Sequence, residues 1–241
     1  MQRYYTRACN FYFGNQSKIL VNKKKSIPLH QIKEISFDHV EIITRKKIRK
    51  ISINKIRNLS KKLKTKINSD LKKIKSKKRN FSNLNFKKIP NILGVLNLTP
   101  DSFSDGGKFN KKNKGASHAI NLYKSGASLV DVGGESTRPG SKEVNENREW
   151  NRIKNILKLI VKKIPISLDT RKSSIMENGI RMGVKLINDV SGLSYDPKTI
   201  NILKKYKIPF VIQHSVGTPE NMQKKAKYKN ELLDIYDYFE D

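Results

Sequence analysis

From Asn91 onward, short apolar runs alternate with stretches of helical period, and each run delivers a hydrogen-bonding residue at the same end. The runs are Ile92–Leu96, Ser128–Val130, Ile164–Leu168, Val184–Ile187 and Ile208–Ile212, and they lead into Asn97, Asp131, Asp169, Asn188 and His214. Between them, Ala116–Lys124, Glu149–Val161, Ser173–Arg181 and Lys198–Tyr206 carry apolar residues three and four apart, the spacing of one helix face. Strand and helix in alternation imply a parallel sheet with right-handed crossovers, hence an α/β fold of doubly wound or barrel type. One Asp or Asn after a strand is usually a turn or helix-cap residue. Five in phase fit better the mouth of a barrel, where the carboxyl ends of the strands converge. The loops after the first two strands, NLTPDSFSDGG and DVGGESTRPGS, are rich in Gly, Ser, Thr and Asp. Such loops can close over a phosphate with backbone N–H groups and hydroxyls, although a Gly-rich loop alone is weak evidence.

Residues 1–90 read differently. They hold 26 of the 51 Lys and Arg and 4 of the 21 Asp and Glu, a net of +22, which leaves +8 of the total +30 for residues 91–241. A charge of that size fits nucleic acid or anionic lipid as a partner, but Lys, Asn and Ile recur throughout the chain, as an AT-rich coding sequence would give, so no specific nucleic-acid partner is expected. The extension has β-like stretches at Tyr4–Phe13, Lys18–Val21 and Glu34–Ile43. Next, Ile56, Leu59, Leu63, Ile67, Leu71 and Ile74 predict a basic amphipathic helix whose apolar stripe docks on the main domain. Lys75–Pro90 reads as a linker. The expected organisation is a lysine-rich extension over 1–90, α+β or partly disordered, and an α/β domain over 91–241. There is no run of about 18 apolar residues and no secretory signal, so the expected location is cytoplasmic. Cys9 is the only cysteine, which excludes an internal disulfide and a thiolate zinc cluster.

The stretches GVLNLTPDSFSDGG (94–107), VDVGGESTRPGS (130–141), ISLDT (166–170), INDVSGL (187–193) and GTPENMQ (217–223) resemble dihydropteroate synthases in content, order and spacing. The resemblance covers essentially all of 91–241. It implies a (β/α)8 TIM barrel, the substrates 6-hydroxymethyl-dihydropterin pyrophosphate and p-aminobenzoate, the products dihydropteroate and pyrophosphate, Mg2+ as the cofactor, membership of a class of sulfonamide targets, and a homodimer at full length. It places Asn97 near the metal and pyrophosphate, with Asp101 and Asp105 of the first loop able to reach the same ion. Phe103, Thr137, Arg138 and Pro139 correspond to the aminobenzoate side, and Asp169 and Asn188 to the pterin. A carboxylate such as Asp169 can accept two donors from an aminopyrimidine edge, and a carboxamide such as Asn188 supplies a donor and an acceptor.

Asp131 fits a pterin contact and a structural bond to loop amides equally. His214 fits a satisfied mouth residue, flanked here by Gln213 and Ser215 where many members have methionines. Phe109, Tyr123 and Trp150 fit packing. Five βα units occupy 91–241, whereas a closed barrel has about eight in ~250 residues. Later stretches of the family, Asp-Pro-Gly-Phe-Gly-Phe-Gly-Lys-like, Ser-Arg-Lys and Arg-x-His, have no counterpart, so the barrel is expected to be incomplete and the chain an inactive fragment. Two other readings compete: a corrinoid-type pterin-binding methyltransferase domain, against which the loop TPDSFSDGG argues because its substrate has no pyrophosphate to expel, and a non-catalytic RNA- or membrane-binding protein using the extension.

Overall fold

The computed structural model describes residues 3–85, 90–99 and 113–241. Contacts divide the chain into two units, Met1–Arg79 and Asn80–Asp241. In the first, β3 (Ile32–Ile43) is the central strand. It pairs antiparallel with β1 (Tyr5–Phe13) along most of its length, with β2 (Ile27–Leu29) near its start and with β4 (Ile48–Ser52) near its end. The stretch Lys18–Val21, expected as a strand, lies instead in helix α1 (Gly14–Asn22). Gly14 at φ 56° turns the chain out of β1, and buried Ser17 then donates its hydroxyl proton to Lys33 O and shares a second hydrogen bond with Ser36 Oγ on β3, so a long-range contact overrides the local pattern.

The amphipathic stretch is also reassigned. Ile53–Asn58 is a 3-10 turn, and helix α2 (Lys61–Lys75) follows it. Its buried Ile67 and Leu71 join Phe37, Val40, Ile42 and Ile51 of the antiparallel sheet. The stripe is therefore satisfied within its own unit, and the expectation that it docks on the α/β domain is corrected.

In the second unit, strands β5 (Leu93–Asn97), β6 (Leu129–Gly133), β7 (Ile166–Asp169), β8 (Leu186–Asp189) and β9 (Phe210–Ile212) form one parallel sheet in sequence order. Helices α3 (Lys114–Lys124), α4 (Glu146–Ile160), α5 (Ser173–Met182) and α6 (Thr199–Tyr206) separate them, and α7 (Met222–Lys225) and α8 (Glu231–Glu240) follow. Sequential order with a helix after each strand is the plan of a partial TIM barrel. The core obeys strand alternation: Leu96, Val130, Val132, Ile166, Leu168 and Ile187 point outward into a cluster with Ala119 of α3, Ile153 and Leu157 of α4, Ile175 and Met176 of α5 and Leu203 of α6. The opposite face is polar at the carboxyl end and apolar at the amino end, where Leu84 packs on Leu129 and Leu186. Within the stretch read as a linker, residues 81–84 form a turn that covers this amino end: Ser82 Oγ donates to Lys185 O at 2.6 Å and Asn83 Nδ2 to Ser128 O at 2.8 Å. No helix among the described residues is long and apolar enough to cross a membrane.

The paired glycines after Val132 have a steric cause. A Cβ on Gly133 would meet Asp169 Oδ2 at 3.2 Å, and one on Gly134 would lie 2.9 Å from Glu149 O and from Ile153 Cγ2 of α4. Gly134 thus lets the first turn of α4 approach the end of β6. Gly134→Ala is expected to cost about 1–3 kcal/mol, the scale of overpacking against backbone. A lower urea midpoint at unchanged m-value is the readout; an unaltered midpoint would show that α4 can retreat freely.

Candidate functional site

Parallel register sets one row of side chains across the carboxyl ends of the strands: Asn97 pairs with Gly133, Gly133 with Asp169 and Asp169 with Asn188. With a period of two, these residues share the inner face with Asp131, two positions before Gly133. The absent side chain at Gly133 leaves room for its neighbours, since its Cβ position would be 3.6 Å from Asn97 Oδ1 as well as close to Asp169 Oδ2. Asn188 Nδ2 donates to Asp131 Oδ2 at 2.9 Å, while the buried Asp131 Oδ1 has no hydrogen-bond partner among the described residues. Asn97, Asp131, Asp169 and Asn188, all named from sequence, are thus brought together.

Two carboxyl groups in this row strain against ionisation. Burial pushes Asp131 up from the ordinary carboxylate range, against the opposing influence of the Ser167 hydroxyl, its neighbour in register on β7, and of the bond from Asn188. Burial pushes Asp169 well above that range, and the charges of Asp131, Glu149, Glu135 and Asp189 add to it. Ionising one therefore disfavours ionising the other. A ligand with several N–H donors relieves both, because hydrogen bonds to the charged form favour it. Such a floor suits a flat, donor-rich heterocycle.

The loop joining β6 to α4, residues 134–145, carries the other named residues. Thr137, Arg138 and Pro139 are exposed on it. Thr137 lines a cleft of about 100 Å³ with Arg171, Ser191, Gln213 and Ser215, whereas Arg138 and Pro139 line a separate, basic cavity of about 430 Å³ with Lys142, Arg148 and Arg152. Gly140 N–H donates to Pro219 O at 2.9 Å and links this loop to the segment after β9. His214 is packed among the rings of Tyr228, Tyr238 and Phe239, with Tyr238 nearest at 4.7 Å between centroids. Trp150 packs on the helix-side core. Asp101, Phe103, Asp105 and Phe109 lie outside the described residues. Among the described ones no group of three or more His, Cys, Asp or Glu is arranged to hold a metal. Mg2+ needs less than that from a protein, since it keeps several waters and shares substrate phosphates, and the side-chain oxygen of Asn97 beside Asp169 is a hard donor of the right kind.

Sequence reasoning missed a buried ionic cluster beside this row. Arg171 Nε donates to Glu135 Oε2 at 2.8 Å and its Nη2 to Oε1 at 3.2 Å. Lys172 Nζ lies 3.0 Å from Glu135 Oε1 and 2.6 Å from Glu149 Oε2, and Thr170 Oγ1 donates to Glu149 Oε1 at 2.7 Å. Burial pulls Glu135 upward, but Arg171, the Val144 N–H and Lys172 outweigh it and hold the group below the usual range. Burial wins at Glu149, which is raised in spite of Lys172 and Thr170. The one available signal was Glu149 at a position of the α4 stripe that otherwise carries Ile153, Ile156, Leu157 and Ile160.

A family model described as pterin binding enzyme matches residues 93–241. The chain is 40% identical to the dihydropteroate synthase of Bacillus subtilis over 136 residues, which are 56% of this chain and 48% of that protein. Among solved structures, the Yersinia pestis dihydropteroate synthase in complex with a sulfonamide drug aligns with a TM-score of 0.62 and 35% identity over 65% of this chain and 57% of that one. The Xanthomonas albilineans dihydropteroate synthase with 4-aminobenzoic acid aligns with a TM-score of 0.54 and 32% identity over 62% and 53%. The chain thus spans about half the length of the relatives it matches.

Proposed function

Because the chain belongs to the pterin-binding enzyme family, and matches roughly the N-terminal half of a dihydropteroate synthase, we propose that the protein serves folate synthesis by condensing 6-hydroxymethyl-7,8-dihydropterin pyrophosphate with p-aminobenzoate. The observation that carries this reading is the strand-end row of Asn97, Asp169 and Asn188 with Asp131 beneath it, where an unpartnered buried oxygen and two carboxyl groups with raised pKa await a donor-rich ring.

In this reading Asp169 accepts the paired donors of the aminopyrimidine edge, Asn188 supplies a donor and an acceptor, and Asp131 orients Asn188 through the 2.9 Å bond. With the ring held, the bond between the exocyclic methylene and the pyrophosphate oxygen breaks and its electron pair leaves with pyrophosphate. The aminobenzoate nitrogen donates its lone pair to the methylene carbon and then loses a proton. The protein needs no side-chain nucleophile, which agrees with Cys9 lying outside the α/β unit. Asn97 would offer an oxygen to Mg2+, together with Asp101 and Asp105 of the first loop, and the ion would neutralise charge developing on the leaving group. The aminobenzoate side would fall to the loop 134–145, with Thr137 on the smaller cleft and Arg138 and Pro139 on the larger cavity, and to Phe103.

The direct test is incorporation of isotope-labelled p-aminobenzoate into dihydropteroate by the full-length gene product. Methyl transfer to a corrinoid in its place would overturn the reading. A second expectation concerns the division of the site: Pro139→Ser should weaken p-aminobenzoate or sulfonamide binding by about 1 kcal/mol or more, the scale of lost methylene contacts, and leave pterin pyrophosphate within a few tenths, since it alters the loop 134–145 and none of the strand-end residues. Equal losses for both ligands, measured by calorimetry, would contradict that division.

A further inference from the structure

We infer that Glu135, Arg171, Lys172 and Glu149 are positioning residues that hold the loop 134–145 in the arrangement that receives the second substrate. The inference rests on the proposed synthase reading for the identity of that substrate, and on geometry alone for the loop. The four groups carry two positive and two negative charges, and all are nearly out of solvent: Lys172 is 2% exposed, Arg171 5%, Glu135 8% and Glu149 0%.

Stability does not account for such a cluster. Taking charges out of water costs several kcal/mol per ion, and well-packed apolar residues usually serve the fold as well or better. Its place does account for it. Within the barrel plan, the amino end of the strands carries stability and the carboxyl end carries chemistry, and this cluster is at the carboxyl end. Each link also runs to the loop. Glu135 Oε1 accepts the Val144 N–H at 2.8 Å, which ties together the two ends of the segment 135–144. Arg171 stacks its guanidinium on Tyr195 at 4.0 Å from the ring centroid, and the Tyr195 hydroxyl donates to Glu143 of the same loop. Lys172 and Glu149 then join α4 and the end of β7 to that closed loop through Glu135. Inside the closed segment, Ser141 N–H donates to Arg138 O at 2.9 Å and Ser141 Oγ to Ser136 O at 2.6 Å. Thr137, Arg138 and Pro139 are thereby presented from a base that three strand ends share. Arg171 also lines the cleft that Thr137 enters.

Lys172, Glu149 and Tyr195 are thus supports whose loss moves a binding loop without removing a group that lines the cleft, whereas Arg171 does both. A loop that is less often in its receiving arrangement binds its substrate more weakly in proportion, and a competent population of about one tenth raises the apparent dissociation constant about tenfold.

The test has two arms and two variants. Lys172→Met keeps the length of the side chain and removes its charge; Tyr195→Phe keeps the ring on Arg171 and removes only the bond to Glu143. Hydrogen–deuterium exchange on the 241-residue chain should show the amides of Gly140, Ser141 and Val144 exchanging about tenfold faster in both variants, while amides of β6, β7 and β8 keep their protection. In the full-length gene product, the KM for p-aminobenzoate should rise about tenfold, with kcat and the KM for pterin pyrophosphate within about twofold. If Lys172→Met does not fold, Tyr195→Phe decides. Unchanged exchange in the loop overturns the inference, and so does faster exchange accompanied by equal losses for both substrates or by a fall in kcat alone. Failure of the unsubstituted protein to make dihydropteroate would remove the synthase reading, and the exchange arm would still decide whether the cluster holds the loop.

Discussion

Asp169→Asn is expected to weaken pterin pyrophosphate binding by about 1.5–3 kcal/mol, the worth of a hydrogen bond to a charged group, while making the fold more stable at neutral pH. Both effects come from one cause. Burial and the neighbouring charge of Asp131 raise the Asp169 pKa well above the ordinary range. In the window between the ordinary carboxylate value and that raised value, the folded state binds more protons than the unfolded state. Stability therefore falls as pH rises through the window, and the full penalty applies above it. Asn carries no such penalty, so the gain in Tm should be largest at neutral pH and should shrink as the pH drops below the ordinary carboxylate pKa. Binding runs the other way. The pterin needs an ionised acceptor, so its affinity for the unsubstituted protein should rise with pH through the raised pKa, and for Asp169→Asn this dependence should be lost. Calorimetric titration across pH together with thermal scans measures both on one protein. Unchanged pterin affinity would remove Asp169 from the site, and a fall in Tm would show that its carboxylate holds the fold together.

The strands of the α/β unit were legible because a parallel strand covered by helices leaves a dense apolar run, and the polar residue at its end marks where that cover stops; β6 is the exception, since it continues to Gly133 and places Asp131, expected at the strand end, inside the ladder opposite Val95 and Ser167. The structure begins β7 at Ile166, whereas the apolar run starts at Ile164. Ile164 is buried in the helix-side core without being part of the ladder, so hydrophobicity overstates the strand. The row Asn97, Asp169 and Asn188 was legible for the same reason, since alternation and common phase fix the face of each residue. Other features depend on distance along the chain. Ser17 decides the conformation of α1 through partners at 33 and 36, and Glu149 finds Lys172 across 23 positions. No local pattern encodes either pairing. The separation of Thr137 from Pro139 into different cavities is likewise a property of how the loop folds back, with Gly140 at φ 83° turning it toward Pro219.

Expressed by itself, the 241-residue chain is expected to self-associate and to form no dihydropteroate. Its parallel sheet has five strands in the order β5 to β9, so the outer edges of β5 and β9 have no strand partner among the described residues. A closed barrel pairs every edge, with about eight strands; open edges are templates for association. The faces near those edges are apolar as well: Val95 is 50% exposed on β5, and Phe210, Val211 and Ile212 of β9 are each near 40%. A net charge of +30 opposes association, but screening over about 10 Å at 0.1 M salt leaves the contact surfaces little protected. The chemistry has its own deficit. The described strand-end row, with Asp131 beneath it, offers two amides and two carboxyl groups and no cationic side chain for the charge growing on pyrophosphate. Preorganised positive groups at that point typically contribute several kcal/mol, a factor of about 100 to 1,000 in rate for each donor removed. Sedimentation velocity and a dihydropteroate assay on the chain and on the full-length gene product test both parts, with higher salt expected to increase association. A monodisperse chain that turns over both substrates would show that five strands close the site and that Arg138 and the loops supply the missing charge.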